Sequence, residues 1–189
     1  MILGKDGKKR CFGGQAGKEF YAHYHDTEWG IENHDEHHLF EMLILEGAQA
    51  GLSWETVLKK RAGYKKAFHN FNPVTVASMN DSELEALREN PEIIRNKLKI
   101  YGTRKNAQIF LAIQKEYGSF YKYLSNFIAQ KPVSKNIVNF PVNTPESDAL
   151  SKDLQKRGMI FVGSTIIYSF MQAVGLVNDH LVGCWRHGK

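Results

Sequence analysis

Residues 35–54 of the chain read DEHHLFEMLILEGAQAGLSW. Apolar and small side chains recur there at the spacing of one face of an α-helix. Asp35 stands where a side chain caps the first turn of such a helix. The sequence therefore predicts a helix whose apolar side holds Leu39, Leu43, Gly47 and Ala50.

Helix signals continue through the rest of the chain. Side chains that cap helices precede apolar runs at Ser53, at Asn72 before Pro73, at Asn80 with Glu83, at Ser119 and at Thr144 before Pro145. Besides helices after these caps, the pattern predicts a short helical turn over residues 91–94. It further predicts helices over about 99–117 (ending at Gly118), 119–127, 144–158 and 164–175. No alternating strand pattern and no internal repeat accompanies them.

The fold class predicted from these patterns is all-α. Residues 1–10 are polar and basic, and we expect them to form a flexible extension. Residues 11–187 are expected to form a single compact unit with an irregular segment at each end. Residues 131–143, which contain two prolines, are expected to form an extended loop.

Composition limits the class of protein without identifying it. At 189 residues, 42% of them hydrophobic, the chain is long enough for one well-buried domain or two small ones. Its formal charge of +5 is compatible with nucleic acid as a partner, although many basic proteins have none. No apolar stretch near the start resembles a signal peptide or a membrane span, so we expect a cytoplasmic protein with no membrane partner. Nothing in the sequence requires more than a monomer.

The two cysteines, Cys11 and Cys184, lie near opposite ends of the chain, and the histidines His25 and His180 are close to them in sequence. Two thiolates and two imidazoles suit a tetrahedral zinc ion, which would join the two ends. A disulfide, rare in the cytosol, and two unrelated thiols are the alternatives. The separation of Cys11 from His25 is longer than in a zinc finger. Other histidines compete as ligands: His23, His34, His37, His38, His69 and His187.

Glu46 lies on the same helix face as Leu39 and Leu43. A carboxylate on an apolar face loses hydration and needs a donor, and the small residues that follow Glu46 leave room for a pocket. The alternative is a side chain that reaches solvent or pairs with a lysine. Aromatic residues near Glu46 or His25 favour a pocket for a flat heterocycle, although each one singly is typical of core packing. They are Tyr21, Tyr24, Trp29 and Trp54.

Two basic runs are candidates for contact with phosphates. The first follows Pro91 and the second follows Leu58. A short turn between helices that exposes backbone amides and lysines can bind a phosphate backbone, but a solvated helix face has the same pattern. The first run holds Arg95, Lys97, Lys99, Arg104 and Lys105, and the second holds Lys59, Lys60, Arg61, Lys65 and Lys66. Phosphate-binding loops, glycine-rich dinucleotide turns, His-Glu-x-x-His and Gly-x-Ser-x-Gly motifs are absent from the sequence.

Several longer segments follow one another in a characteristic order. They are YHDTEWG (24–30), LEGAQAGLSW (45–54), VLKKR (57–61), SDALSK (147–152), FVG (161–163), SFMQA (169–173) and GLVNDH (175–180). Together they resemble the DNA-3-methyladenine glycosylase I family of constitutive alkylation-repair glycosylases. The resemblance extends from about Cys11 to Cys184, and several long matches in order are more specific than a single motif.

The resemblance implies a helix-hairpin-helix DNA glycosylase fold. It implies one structural Zn²⁺ held by Cys11, His25, His180 and Cys184. It also implies that the catalytic residues Glu46 and Tyr24 hydrogen-bond the excised base and that Trp54 stacks on it, with Tyr21 and Trp29 as further base-binding residues. The DNA-binding residues would be Gly51 and Leu52, at a wedge that enters the DNA, and Arg95, Lys97 and Lys99, at a hairpin near residues 91–99.

The implied reaction is removal of 3-methyladenine from alkylated double-stranded DNA by hydrolysis of the N-glycosidic bond, with free 3-methyladenine as the product. The nucleotide is flipped into the enzyme first. No lysine is placed as a Schiff-base nucleophile, so we expect a monofunctional enzyme with no lyase step. Two other classes stay open. One is a non-enzymatic module that binds damaged DNA, and the other is a hydrolase with zinc at the reaction centre, against which four protein ligands argue.

Overall fold

The computed structural model describes residues 1–128 and 140–189. In these residues the chain forms ten α-helices and a two-stranded hairpin. The strands are β1 (Ile2–Leu3) and β2 (Lys9–Arg10), and the helices are α1 (Glu19–Thr27), α2 (Glu36–Gln49), α3 (Trp54–Lys59), α4 (Arg61–Ala67), α5 (Pro73–Ser78), α6 (Asp81–Leu87), α7 (Lys97–Tyr117), α8 (Phe120–Leu124), α9 (Pro145–Lys156) and α10 (Ser164–Ala173). The expected all-α class is confirmed. Within the described residues, no helix has both the length and the apolar character needed to cross a membrane.

Capping side chains set the beginnings of most helices, as the sequence predicts. Asp35 accepts a hydrogen bond from the backbone N–H of His38 at 2.8 Å. Each such bond satisfies an amide that has no partner inside the helix. The other expected caps accept backbone N–H groups in the same way: Ser53, Asn72, Asn80, Ser119 and Thr144. Gly118, in the left-handed conformation at φ 85°, ends α7.

Helix α2 runs through the centre of the molecule. Every residue from Leu39 to Ala48 is buried, and α2 contacts α3, α7, α8 and α10. Gly47 permits a close approach of the backbone at Phe161, because a Cβ on Gly47 would lie 3.1 Å from the carbonyl oxygen of Phe161. Since α2 is buried on all sides over this range, the burial of Glu46 does not depend on which helix face it occupies.

One expectation for the N-terminal region is wrong, and one feature of that region was not predicted. Ile2 pairs with Arg10 and Leu3 with Lys9 in an antiparallel hairpin that no pattern in the sequence predicts, while the flexibility expected of residues 1–10 stays a prediction. Arg10 is 4% exposed and is held between Asp6 and Asp26. The segment expected to be irregular before Asp35 contains α1. Its first turn has no side-chain cap, which explains why the sequence gives no start signal there. The boundary between residues 1–10 and the compact unit of 11–187 stays a prediction.

Smaller differences affect three other segments. Residues 91–94 form a turn without helix, and α7 begins two residues earlier than expected because Asn96 caps it through the backbone N–H of Lys99 at 3.1 Å. The helix after Ser119 is regular only to Leu124. Of the loop expected over 131–143, residues 131–139 lie outside the described residues, and 140–143 have no regular structure.

Candidate active site

A cavity of about 270 Å³ lies where α1, α2, α3 and α10 meet. Its wall is largely aromatic, with a few polar side chains and a single carboxyl group. The lining residues are Phe12, Tyr21, Tyr24, Trp29, Glu46, Gln49, Trp54, Phe140, Ser169 and Gln172. The structure thus brings together all five residues that the sequence resemblance assigns to the base and to catalysis.

Glu46 supplies the carboxyl group of this wall. It is 4% exposed, and its carboxyl group forms no hydrogen bond or ion pair with the described residues. The alternative of a solvent-facing or lysine-paired side chain is therefore wrong. Burial raises the pKa of Glu46 from its ordinary value of 4.5 to about 8. A buried acid that lacks a partner and lines a cavity is suited to receive a cation or a hydrogen-bond donor from a ligand.

Aromatic rings form the walls around Glu46. The ring centroids of Tyr24 and Trp54 are 5.4 Å apart, with an angle of 49° between the ring planes. Burial, with help from Glu46, holds the pKa of Tyr24 well above its usual value. Burial, together with the charges of Glu55 and then Glu46, raises the pKa of Tyr21 to about 12. Both phenols therefore stay protonated at neutral pH and are available as donors. The indole N–H of Trp54 is buried and has no hydrogen-bond partner among the described residues.

Five lining residues were not assigned a role from the sequence. Phe12 stacks edge-on against Trp29 at 5.1 Å, and Phe140 does so from another side at 5.7 Å. No local pattern marks either phenylalanine, because both reach the cavity from segments without regular structure. Ser169 and Gln172 are one turn apart on α10, within the segment SFMQA, and Gln49 is one turn after Glu46. That helical spacing, combined with the segment matches, was the available signal for these three polar residues.

The four expected metal ligands converge at one place. The ligand atoms of Cys11, His25, His180 and Cys184 all lie within 4.8 Å of one another. Cys184 Sγ is 3.4 Å from His25 Nε2 and 3.6 Å from His180 Nδ1, and Cys11 Sγ is 3.8 Å from His180 Nδ1. Tetrahedral zinc with ordinary bond lengths places sulfur and nitrogen about 3.6 Å apart. Both cysteines are free thiols, so the disulfide alternative is wrong. Because the two thiols meet in one cluster with the two imidazoles, the alternative of unrelated thiols is wrong as well.

The surroundings of the cluster leave each imidazole a lone pair for a metal. His25 Nδ1–H donates a hydrogen bond to Asp26 Oδ1 at 2.8 Å, so the lone pair of the ring is on Nε2, which faces the cluster and accepts the backbone N–H of Cys11 at 3.3 Å. His180 Nε2 lies 3.1 Å from the carbonyl oxygen of Trp29, which leaves Nδ1 free in the same way. Asp26 is itself fixed by Arg10 and by the indole N–H of Trp185. The cluster can therefore hold a metal ion, and the tautomers that its neighbours favour fit a closed four-ligand site.

The structure places the expected DNA-binding residues in two exposed segments, apart from one lysine that is held inside the protein. Arg95 and Lys97 are exposed beside the turn before α7. Gly51, at φ 78°, and Leu52, which is 42% exposed, form a tip after α2. Lys99 differs from the others, because its ammonium group donates to the carbonyl oxygens of Ala48 and Ala50 at 2.8 and 2.7 Å. The structure therefore engages Lys99 inside the protein and not on an open surface.

The turn between α6 and α7 is held in place by α4. Lys60 Nζ donates to the carbonyl oxygen of Pro91 at 2.6 Å, and the backbone N–H of Ile94 donates to the Tyr64 hydroxyl at 3.3 Å. Gly63 allows the approach, because a Cβ there would lie 2.4 Å from the carbonyl oxygen of Glu92. Lys60, expected as a phosphate contact in the second basic run, is thus committed to this turn.

Comparisons with known proteins agree with this geometry. A sequence model of the family described as methyladenine glycosylase matches residues 14–187. DNA-3-methyladenine glycosylase 1 of Escherichia coli (strain K12) is 48% identical over 167 residues, which is 87% of this chain and 89% of that protein. A crystal structure of a 3-methyladenine DNA glycosylase I has a TM-score of 0.89 at 46% identity and covers 95% of this chain and 100% of its own. A Staphylococcus aureus structure, described as the basis of 3-methyladenine recognition, has a TM-score of 0.89 at 35% identity, with 95% and 97% covered.

The helical fold, the acidic aromatic cavity and these matches define a DNA glycosylase, an enzyme that hydrolyses N-glycosidic bonds. Within that class, the chain belongs to the methyladenine glycosylase family. The family resemblance based on the sequence segments is confirmed, and so is the expectation of an enzyme that acts in DNA repair.

Proposed function

We propose that the chain excises 3-methyladenine from alkylated double-stranded DNA by hydrolysing the N-glycosidic bond of a flipped nucleotide. The observation that carries this proposal is the buried, unpartnered carboxyl group of Glu46 in an aromatic cavity of about 270 Å³. Aromatic faces and a few convergent polar groups are what a pocket for a flat heterocycle requires.

The charge of the lesion explains the choice of a buried carboxyl group. Methylation at N3 makes the attached adenine cationic, whereas an unmodified base is neutral. With a pKa of about 8, ionising Glu46 at pH 7 costs about 1.4 kcal/mol. A cation at about 4 Å returns about 4 kcal/mol at an effective dielectric constant of 20. The damaged base therefore ionises Glu46 on binding, and a normal base does not.

The same charge reduces what the protein must do chemically. A cationic base is a good leaving group, so the glycosidic bond breaks without a strong general acid. In the bound state Glu46 accepts a hydrogen bond from the exocyclic amine, Tyr24 adds a second hydrogen bond and Trp54 stacks on the ring. Tyr21 and Trp29 complete the base site. Water then adds to the sugar carbon. The described lining contains no lysine, which supports a monofunctional enzyme without a lyase step.

Contact with DNA is assigned to two features of the structure. The Gly51–Leu52 tip fills the gap that the flipped nucleotide leaves, and the turn between α6 and α7 acts as the hairpin of a helix-hairpin-helix element that binds phosphates through its amides. Arg95 and Lys97 add positive charge beside that turn. The partner is duplex DNA, the product is the free base, and a single copy of the chain is the active unit.

Zinc is assigned a structural role. Cys11, His25, His180 and Cys184 would hold one Zn²⁺, which as a closed four-ligand site joins the two ends of the chain and supplies no open position for a substrate. None of these four residues lines the cavity, which counts against a hydrolase with zinc at the reaction centre. This metal site supports catalysis by holding α1, which carries Tyr21 and Tyr24, against the C-terminal segment.

Release of base from methylated duplex DNA tests the proposal. Wild-type protein is incubated with DNA treated with a methylating agent, and free 3-methyladenine is quantified by mass spectrometry. Glu46→Gln is compared with Glu89→Gln, a matched change at an exposed position. We expect release by the wild type and by Glu89→Gln, and a loss of affinity of about 10- to 100-fold for the free base in Glu46→Gln, by calorimetry. Tight binding of damaged DNA without release would instead identify a sensor module.

A further inference from the structure

Unlike Arg95 and Lys97, which are exposed, Lys99 turns its charged group into the protein. Its ammonium group lies 2.8 Å from the carbonyl oxygen of Ala48 and 2.7 Å from that of Ala50. The last carbonyl groups of a helix lack partners within the helix, and a cation there also complements the helix dipole. Lys99 therefore caps the C-terminal end of α2 from a different helix.

The end of α2 that Lys99 caps connects the base cavity to the DNA tip. Glu46 lies two residues before Ala48, and Leu52 lies two residues after Ala50. The tip has little packing of its own, because a Cβ on Gly51 would find no atom within 4 Å and Leu52 is 42% exposed. Among the described residues, the side-chain hydrogen bonds to the backbone of residues 48–52 come from Lys99 alone.

The backbone of Lys99 lies next to the turn before α7. Lys99 belongs to the first turn of α7, and its backbone N–H donates to the Asn96 side chain at 3.1 Å. The turn over residues 91–96 is fixed to α4 by Lys60 and Tyr64. Lys99 therefore connects the turn over residues 91–96, which is assigned to the phosphate backbone, with the Gly51–Leu52 tip, which is assigned to the gap in the duplex.

We propose that Lys99 is a positioning residue that sets the Gly51–Leu52 tip relative to the phosphate-binding turn, and that it does so without contacting a phosphate itself. The inference rests on the proposed function. It has a specific consequence: loss of Lys99 impairs the step that needs an ordered duplex, since flipping requires the tip at the right place, and leaves recognition of the base unchanged.

Lys99→Met keeps the length of the side chain and removes the donor, Lys99→Arg restores a donor, and Lys97→Met is the matched control at an exposed position of the same helix turn. The readouts are the single-turnover excision rate from methylated duplex and from methylated single-stranded DNA, the affinity for free 3-methyladenine, the salt dependence of duplex binding and the melting temperature. Excision by the wild type establishes the proposed function before any variant is interpreted.

We expect Lys99→Met to lose about 10- to 100-fold in rate on duplex and less than about threefold on single strands, with base affinity unchanged and partial recovery in Lys99→Arg. The salt slope should fall by about one in Lys97→Met and stay unchanged in Lys99→Met. A reduced salt slope in Lys99→Met would identify a phosphate contact and overturn the inference. The inference would also be overturned if Lys99→Met lowered the melting temperature and lost excision rate equally on duplex and single-stranded DNA, together with base affinity. That result would show that Lys99 has a structural role only.

Discussion

The carboxyl group of Glu46 and the indole N–H of Trp54 line the same cavity, and neither has a hydrogen-bond partner among the described residues. A buried donor left unpaired is costly to the fold, by about 1–3 kcal/mol, and burial of the Glu46 carboxyl group disfavours its ionised form. Such groups persist at sites where a ligand provides the missing partners. The pair therefore marks the cavity as a binding site on physical grounds, separately from any relative.

Trp54→Phe tests the donor of this pair. Phenylalanine keeps an aromatic face for stacking and removes the unpaired N–H. We expect the affinity for free 3-methyladenine to fall about three- to tenfold in calorimetry, which corresponds to one lost hydrogen bond. The free energy of unfolding should stay within about 1 kcal/mol of the wild type, because the gain from removing an unpaired donor is offset by the packing that the smaller ring loses. Unchanged base affinity would show that Trp54 contributes its ring face only.

Glu46→Gln should change how stability depends on pH. The unfolded chain releases the Glu46 proton near its ordinary pKa of 4.5, but the folded chain keeps it to about 8. Between these values the folded state binds the extra proton, so the free energy of unfolding of the wild type falls as the pH rises, by at most about 1.4 kcal/mol per pH unit. Glutamine does not titrate, so in Glu46→Gln this fall in the free energy of unfolding with rising pH is absent.

Denaturant unfolding at pH 5 and at pH 8 measures the difference. The quantity compared is the free energy of unfolding of Glu46→Gln minus that of the wild type. We expect this difference to be larger at pH 8 than at pH 5 by about 2–4 kcal/mol. Glu89→Gln, exposed to solvent, should show the pH dependence of the wild type. If Glu46→Gln and the wild type ran parallel across this range, Glu46 would be ionised in the folded state throughout it.

Asp26→Asn should weaken metal binding although Asp26 is not one of the four ligands. Its carboxylate accepts from His25 Nδ1 at 2.8 Å and orients the ring that faces the cluster. We expect zinc affinity, measured by competition with a chelator, to fall about 10- to 100-fold. The control is Asp6→Asn, which also loses a bond to Arg10 at 2.9 Å but does not contact a ligand. Equal affinities in both variants and the wild type would contradict the proposed role of Asp26.

Gly63→Ala should disturb the turn between α6 and α7 from the side of α4. A new Cβ would lie 2.4 Å from the Glu92 carbonyl oxygen, and this backbone atom can move away only with the turn. Gly102→Ala is the matched helical change, where the obstacle is the flexible end of Ile160 at 2.6 Å. We expect Gly63→Ala to lower the melting temperature by several degrees more than Gly102→Ala and to weaken duplex binding. Similar melting temperatures and DNA affinities in the two variants would show that the turn tolerates displacement.

Much of the helical framework was predictable because its signals are local. The bond from the His38 amide to Asp35 and the reciprocal bonds of Asn80 and Glu83 each span three residues, so the sequence contains both partners within one turn. Helix α1 was missed for the same reason, since no side chain caps its first turn. The hairpin of residues 2–10 was missed because two residues per strand are too few for an alternating pattern.

The sequence by itself determined which residue types were available: two thiols with two imidazoles, one acid on an apolar helix face, and aromatic side chains on either side of it. Tertiary structure alone decided that Phe140 lines the cavity and that Lys99 caps the end of α2 at Ala50, which lies 49 residues away in sequence. The physical reason is the separation in sequence over which each interaction acts. Capping and helix periodicity act over three or four residues, whereas a side chain that could equally well face solvent or a distant carbonyl group finds its partner only when the helices pack.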